Sequence, residues 1–225
     1  MTARRSLAGL TLSAARLLLT NVMRNALIIF VVAALGALAW FVFAHKPAVT
    51  NYPSAGTDVV ALGDSLVSGT GASRGADFVS VLSGRVGLPI ANLGAPGDTT
   101  ADALARIHEL DDYNPKVIIV LVGGNDYLRR VPDETVFANL AQIIEDIHKR
   151  GSIVLLVGIR GGVLGDPYAA RFEQLAQQYG TAYVADALKG LFGDERYMAD
   201  SVHPNDAGYA RLAERIAPVL SDLLQ

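Results

Sequence analysis

Cysteine is absent from the 225 residues of this chain. The chain therefore has no disulfide, no thiolate nucleophile and no cysteine ligand for a metal ion. Histidine is scarce, and no two of the four histidines have the spacing of a metal site: they are His45, His108, His148 and His203. The sequence thus predicts neither a metal centre nor a cofactor. The lack of cysteine does not decide the compartment, because an exported domain can fold without disulfides.

Acidic residues are missing from the first 57 residues, which carry Arg4, Arg5, Arg16, Arg24 and Lys46. From Asp58 onward the chain contains 14 Lys and Arg and 22 Asp and Glu, which gives that part a net charge of −8. Nucleic-acid-binding proteins need a basic face, so the acidic part argues against a nucleic-acid partner. Residues 58–225 are numerous enough for one well-buried domain.

A long uncharged run, ALIIFVVAALGALAWFVFA, covers residues 26–44. A bilayer core requires about 20 such residues in a helix. Basic residues are more numerous before this run than after it, which predicts a cytoplasmic N-terminal segment (1–25) and an exported C-terminal part. The sequence thus predicts a transmembrane anchor over 26–44, a linker over 45–57 and a domain over 58–225.

A cleaved signal peptide is the alternative interpretation of the same run. About 24 residues precede it, and FVFAHKPA is a poor cleavage site, so the sequence favours an uncleaved anchor. The Arg4-Arg5 pair also fits a twin-arginine export signal, but an ordinary cytoplasmic basic flank is the favoured interpretation.

The exported part alternates short apolar runs with longer amphipathic ones. Continuous apolar runs are typical of parallel strands that are covered on both faces. Strands are predicted at 58–62, 89–93, 116–122, 152–158 and 181–185, and helices at about 76–87, 99–110, 133–150, 167–180 and 205–224. This order predicts a three-layer α/β/α sandwich around a five-stranded parallel sheet.

Four polar, glycine-bearing loops are predicted at the carboxyl edge of this sheet, where ligands bind in open α/β folds. They are Gly63-Asp64-Ser65, GAPGDTT (94–100), GGND (123–126) and DSVHPND (200–206). A further glycine-rich stretch, GTGASRG (69–75), lacks the Gly-Lys-Ser/Thr of a P-loop and the G-x-G-x-x-G spacing, which argues against nucleotide binding.

Serine chemistry is the hypothesis that uses most of these residues. A serine hydroxyl needs a base, and the base needs a carboxylate that orients it, so Ser65, His203 and Asp200 are candidates. Gly97 and Asn125 are candidate donors to a developing oxyanion. Each residue also has a structural interpretation: a helix cap for Ser65 or Asp200, a turn glycine for Gly97 and an Asx turn for Asn125.

The blocks GDSLVSG, NLGAPGDTT, VGGND and DSVHPN, in this order, resemble those of the SGNH/GDSL hydrolase family, and most closely its bacterial thioesterase/lysophospholipase/arylesterase subgroup. The resemblance implies a flavodoxin-like fold and assigns Ser65 as nucleophile, His203 as base, and Asp200 as the residue that orients His203. It implies an oxyanion hole built from Ser65, Gly97 and Asn125. It also implies a small acyl ester, thioester or lipid as substrate. The predicted anchor is a departure from the soluble members of the subgroup, and with its basic flank it predicts a domain on the periplasmic side of a bacterial inner membrane.

The apolar residues Leu128 and Val163 are predicted to contact the acyl group, because they lie in loops near the same edge. Two rivals to ester hydrolysis stay open at the level of sequence. The first is an O-acyltransferase or deacetylase that acts on cell-envelope glycans and uses the same catalytic residues. The second is a tethered binding module that keeps these residues but has no catalytic activity. The sequence does not indicate an oligomeric state.

Overall fold

The computed structural model describes residues 23–36, 40, 48–159 and 167–225. The chain forms two units, Met1–Pro47 and Ala48–Gln225. In the first unit, helix α1 is described over residues 23–36 and its side chains are exposed. Among the described residues, no helix is both long enough and apolar enough to cross a membrane. The predicted anchor at 26–44 lies partly outside the described residues, at 37–39 and 41–44.

The second unit contains a five-stranded sheet in the order β2-β1-β3-β4-β5, and all four strand pairs are parallel. The strands are β1 (Asp58–Gly63), β2 (Ile90–Gly94), β3 (Pro115–Leu121), β4 (Ile153–Val157) and β5 (Ala182–Val184). The predicted five-stranded parallel sheet is thereby confirmed. Every residue of β4 is buried, as expected for a strand with both faces covered.

The helices of this unit pack in two groups, α3 with α8 and α6 with α4 and α7. Their bounds are α2 (Ser65–Ser68), α3 (Phe78–Val86), α4 (Thr100–Ala105), α5 (Gly124–Leu128), α6 (Asp133–Lys149), α7 (Pro167–Tyr179) and α8 (Asp206–Leu224). The predicted helix at 99–110 is divided, because α4 ends at Ala105 and a 3₁₀ helix covers Ile107–Asp112. The short helices α2 and α5 were not predicted.

Residues 48–57, in the second half of the predicted linker, are hydrogen-bonded to the domain. The backbone N–H of Thr50 donates to Gly180 O (2.8 Å), and the Asn51 side chain donates to His148 O (2.9 Å) and Ser152 O (3.0 Å). The unit that carries the sheet therefore begins before β1.

Candidate active site

Ser65 is the first residue of helix α2, and a tight turn at Asp64 joins this helix to strand β1. The preceding Gly63 has no room for a side chain, because an added Cβ would lie 1.9 Å from Leu121 O. Asp64 caps α2, since its Oδ1 accepts the Leu66 N–H at 2.9 Å. This turn places Ser65 at the carboxyl end of a central strand, where the sequence predicted it.

His203 and Asp200 meet Ser65 although His203 is 138 positions further along the chain. His203 Nε2 lies 3.0 Å from Ser65 Oγ, and His203 Nδ1 lies 2.8 Å from Asp200 Oδ2. The other carboxylate oxygen of Asp200 accepts the backbone N–H groups of Val202 (2.8 Å) and His203 (2.7 Å). The three predicted residues therefore form one continuous hydrogen-bonded chain, which is the arrangement required to activate a serine.

Asp200 is held in its ionised form by these contacts. The hydrogen bond from His203, followed by the two backbone N–H bonds, lowers the pKa of Asp200 to about 2. A charged carboxylate on Nδ1 directs the opposite ring nitrogen, Nε2, toward Ser65 as a proton acceptor.

Asn125 lies in the first turn of α5, behind the glycine turn that follows β3. Its Nδ2 donates one hydrogen bond to Asp98 O (2.9 Å), in the loop that also contains Gly97. Gly97 has a positive φ of 91°, and its carbonyl accepts from Arg129 Nη2 at 2.8 Å. Asn125 and Gly97, two of the three predicted oxyanion donors, are thus joined through Asp98. Gly97 is not among the residues that line the cavity beside Ser65.

Arg106 is a supporting residue that sequence reasoning did not identify. Its guanidinium donates to Asp98 Oδ2 (2.6 Å), Gly63 O (2.9 Å) and Leu93 O (2.9 Å). One side chain therefore ties the ends of β1 and β2 to the Gly97 loop. The signal in the sequence is a lone arginine on the helix after GDTT, which the sequence alone does not distinguish from a surface residue.

A cavity of about 510 Å³ opens beside Ser65 and His203. Most of its wall is apolar, and its lining includes Leu66, Tyr127, Leu128, Ile159, Leu188 and Phe192. Leu128, which is predicted to contact the acyl group, is among the lining residues. Val163, which carries the same prediction, lies outside the described residues. Ile159 lies in the segment 158–172, which the sequence predicts to line the acyl pocket together with 127–134. Leu188 and Phe192 were not predicted, because short loop segments have no periodicity that shows which side chains point inward.

Asp64 is buried beneath the serine turn, with 2% of its surface exposed. Burial raises its pKa from 3.8 to about 6, against the opposing effect of the Leu66 N–H. The unfolded chain releases this proton at lower pH than the folded chain does. The folded state therefore loses stability as pH rises from about 4 to 6.

At pH 8, we expect Asp64→Asn to increase the free energy of unfolding by about 2 kcal/mol, because the substitution removes the buried carboxylate charge. The asparagine Oδ1 can still accept from Leu66. The gain should vanish near pH 4, where the wild-type carboxyl is protonated. Urea denaturation of both proteins at the two pH values checks this, and an equal effect at both would contradict it.

Comparison with known proteins gives one consistent result. Residues 61–211 match the GDSL-like Lipase/Acylhydrolase family. The chain is 31% identical to "Esterase TesA" of Pseudomonas aeruginosa over 186 residues, which cover 76% of this chain and 91% of that protein. It is 26% identical to "Thioesterase 1/protease 1/lysophospholipase L1" of Escherichia coli (strain K12), over 78% of this chain and 89% of that protein.

Solved structures agree with these relatives. A crystal structure of TesA superposes with a TM-score of 0.69 at 30% identity, over 74% of this chain and 99% of that one. The structure of AlinE4, an SGNH-hydrolase family esterase, superposes with a TM-score of 0.58 at 31% identity, over 76% of this chain and 100% of that one.

Proposed function

The chain belongs to the GDSL-like Lipase/Acylhydrolase family and is a serine hydrolase of ester bonds, and we propose that Ser65, His203 and Asp200 are its catalytic triad. The observation that carries the proposal is the hydrogen-bonded chain of 3.0 Å from Ser65 Oγ to His203 Nε2 and 2.8 Å from His203 Nδ1 to Asp200. These distances lie within the range over which a base takes a proton from a nucleophile.

In acylation, Ser65 Oγ attacks the carbonyl carbon of the ester while His203 Nε2 takes the hydroxyl proton. Asp200 stabilises the imidazolium that forms. His203 then gives the proton to the leaving alcohol or thiol, and the acyl group stays on Ser65. In deacylation, a water molecule loses its proton to His203 and attacks the acyl-enzyme. The free acid departs and the proton returns to Ser65.

The oxyanion of each tetrahedral intermediate is bound by the backbone N–H groups of Ser65 and Gly97 and by the Asn125 amide. The hydrogen bond from Asn125 Nδ2 to Asp98 O supports this role. The Asn125 amide uses one of its two N–H groups in this bond, which fixes the orientation of the amide plane. The second N–H group is then the donor to the oxyanion.

We expect Asn125→Ala to lower kcat by about 10²- to 10³-fold. Asn139→Ala is a matched control, because Asn139 Nδ2 also makes a part-buried hydrogen bond, to Thr100 Oγ1 at 3.1 Å. The control variant should retain kcat and lose a similar small amount of stability. Equal losses of kcat in both variants would assign Asn125 a purely structural role.

The substrate we propose is an acyl ester or thioester whose acyl group fills the apolar cavity, with Leu128 at its wall. The test is hydrolysis of matched p-nitrophenyl esters and acyl thioesters, with the free acid quantified. Release of stoichiometric free acid supports a hydrolase. Transfer of the acyl group to an added glycan at the expense of free acid would support an acyltransferase instead.

For the N-terminal part, we propose a single-pass anchor over 26–44, with 1–25 cytoplasmic and the domain on the periplasmic side. The predicted connection 45–57 is then shorter, because the unit that carries the sheet begins at Ala48. Support comes from the uncharged run and the basic flank before it. In membrane fractionation, the full chain should resist alkaline extraction. Val32→Arg with Leu35→Arg should release it, since arginine in the centre of a span costs roughly 3 kcal/mol. A wild-type chain found in the supernatant would refute the anchor.

A further inference from the structure

The glycine-rich stretch after the serine turn is not used by the mechanism above, yet it contacts both halves of the triad. We call residues 69–73 the strap. Its first contacts are with the nucleophile turn, where the backbone N–H groups of Gly69 and Thr70 donate to Ser65 O at 3.1 and 3.0 Å. The start of the strap is therefore fixed directly to the backbone of Ser65.

The middle of the strap lies against the loop that carries the base. A Cβ added to Gly71 would lie 2.7 Å from Pro204 O, 3.0 Å from Ala199 Cβ and 3.2 Å from His203 Cβ. The distance to Pro204 O, a backbone atom, is shorter than real Cβ atoms show, so an added Cβ would clash with this carbonyl. Gly71 also has a positive φ of 93°, which an L side chain rarely adopts.

Two further hydrogen bonds tie the strap to the segment behind His203. The Ser73 N–H donates to Asp206 Oδ1 at 2.7 Å, and the Tyr209 hydroxyl donates to Thr70 O at 2.8 Å. Both partners lie in the first turn of α8, which follows the His203 loop. The strap thus spans the gap between the nucleophile and its base, with hydrogen bonds at each end and backbone contact in the middle.

We infer that Gly71 is a positioning residue that sets the separation of Ser65 and His203, an inference that rests on the proposed triad. A side chain at Gly71 must displace a neighbouring group. The strap is hydrogen-bonded at both ends, to Ser65 and to the first turn of α8, so the displacement falls on the loop from Ala199 to Pro204. A proton is transferred only across about 2.6–3.2 Å, and a misplacement of about 1 Å can reduce the rate by about 10²-fold.

The experiment compares Gly71→Ala with Gly75→Ala in hydrolysis of a p-nitrophenyl ester. Gly75 is a matched control, because it lies in the same stretch, has a positive φ of 78° and has no atom within 4 Å of an added Cβ. Both variants carry the backbone strain, but only Gly71→Ala crowds the His203 loop. We expect kcat of Gly71→Ala to fall by about 10²-fold with KM within about twofold of wild type, and Gly75→Ala to keep the wild-type kcat.

A second readout separates loss of the base contact from general loosening. The rate at which a fluorophosphonate labels Ser65 depends on the same proton transfer, so it should fall in proportion to kcat in Gly71→Ala. A purely structural defect would instead lower the melting temperature and the amount of active protein without changing the labelling rate per active site. That result, or equal kcat for the two glycine variants, would overturn the inference.

If Gly71→Ala does not fold, Tyr209→Phe tests the same strap by removing only the hydrogen bond to Thr70 O. Its kcat should fall severalfold with KM unchanged, whereas Tyr179→Phe, whose hydroxyl donates to Glu145, should match wild type. Wild-type kcat in Tyr209→Phe would overturn the inference. The proposed function fails separately: it is refuted if Ser65→Ala retains activity, whatever the strap variants do.

Discussion

Ser65→Ala is expected to lower kcat for ester hydrolysis by about 10⁴- to 10⁶-fold. Without the hydroxyl, no acyl-enzyme forms, and His203 can only assist direct attack by water. The fold should be preserved, because Ser65 Oγ bonds only to His203 among the described contacts. Steady-state kinetics with a p-nitrophenyl ester, together with the melting temperature, measures both quantities.

The control for this variant is Ser221→Ala, an exposed serine on the last turns of α8. It should retain wild-type kcat and stability. Residual activity in Ser65→Ala above about one hundredth of wild type would show that another group carries the acyl transfer. It would also remove the reason for assigning the oxyanion hole around Ser65.

His203→Gln is expected to reduce kcat to a similar extent, by about 10⁴-fold or more. Glutamine can still form hydrogen bonds at this position, but its amide does not accept a proton at neutral pH. The serine would therefore remain a weakly nucleophilic alcohol. KM should change little, since the apolar cavity is intact. Rapid-mixing kinetics should show that acylation is the slowed step.

His108→Gln is the control, because His108 is exposed on the 3₁₀ helix and lies outside the cavity lining. It should leave kcat unchanged. If both histidine variants lose activity equally, the loss comes from the general effect of the substitution. If His203→Gln keeps a tenth or more of the activity, His203 is not the base.

The strands and long helices could be predicted from the sequence because their patterns extend over many residues. In α6, for example, Val136, Leu140, Ile143 and Ile147 recur at helical spacing, and all four are buried. Helices α2 and α5 have only four and five residues, too few for a periodic signal. Their ends are set by single residues, Asp64 and Gly69 for α2 and Gly123 for α5.

In the active site too, some residues could be predicted from short sequence blocks, whereas others depend on contacts that only the folded chain makes. Ser65, His203 and Asp200 could be predicted because each lies in a short polar block next to a recognisable strand or helix. The roles of Arg106 and Gly71 could not, because each depends on a contact with a segment that is distant along the chain. Arg106 donates to the carbonyl of Gly63, 43 positions away, and Gly71 packs against the loop of His203. The glycines of GTGASRG suggest a phosphate-binding loop at first sight, but the structure places Gly71 against the His203 loop.

The most direct test of the central claim is fluorophosphonate labelling of the folded wild-type protein, followed by intact-mass measurement and peptide mapping. An activated serine attacks the phosphorus and keeps it as a stable covalent adduct. We expect one adduct per chain, on the peptide that contains Ser65, and none in Ser65→Ala. A folded wild-type protein without an adduct, or with the adduct on another serine, would contradict the assignment of Ser65 as the nucleophile.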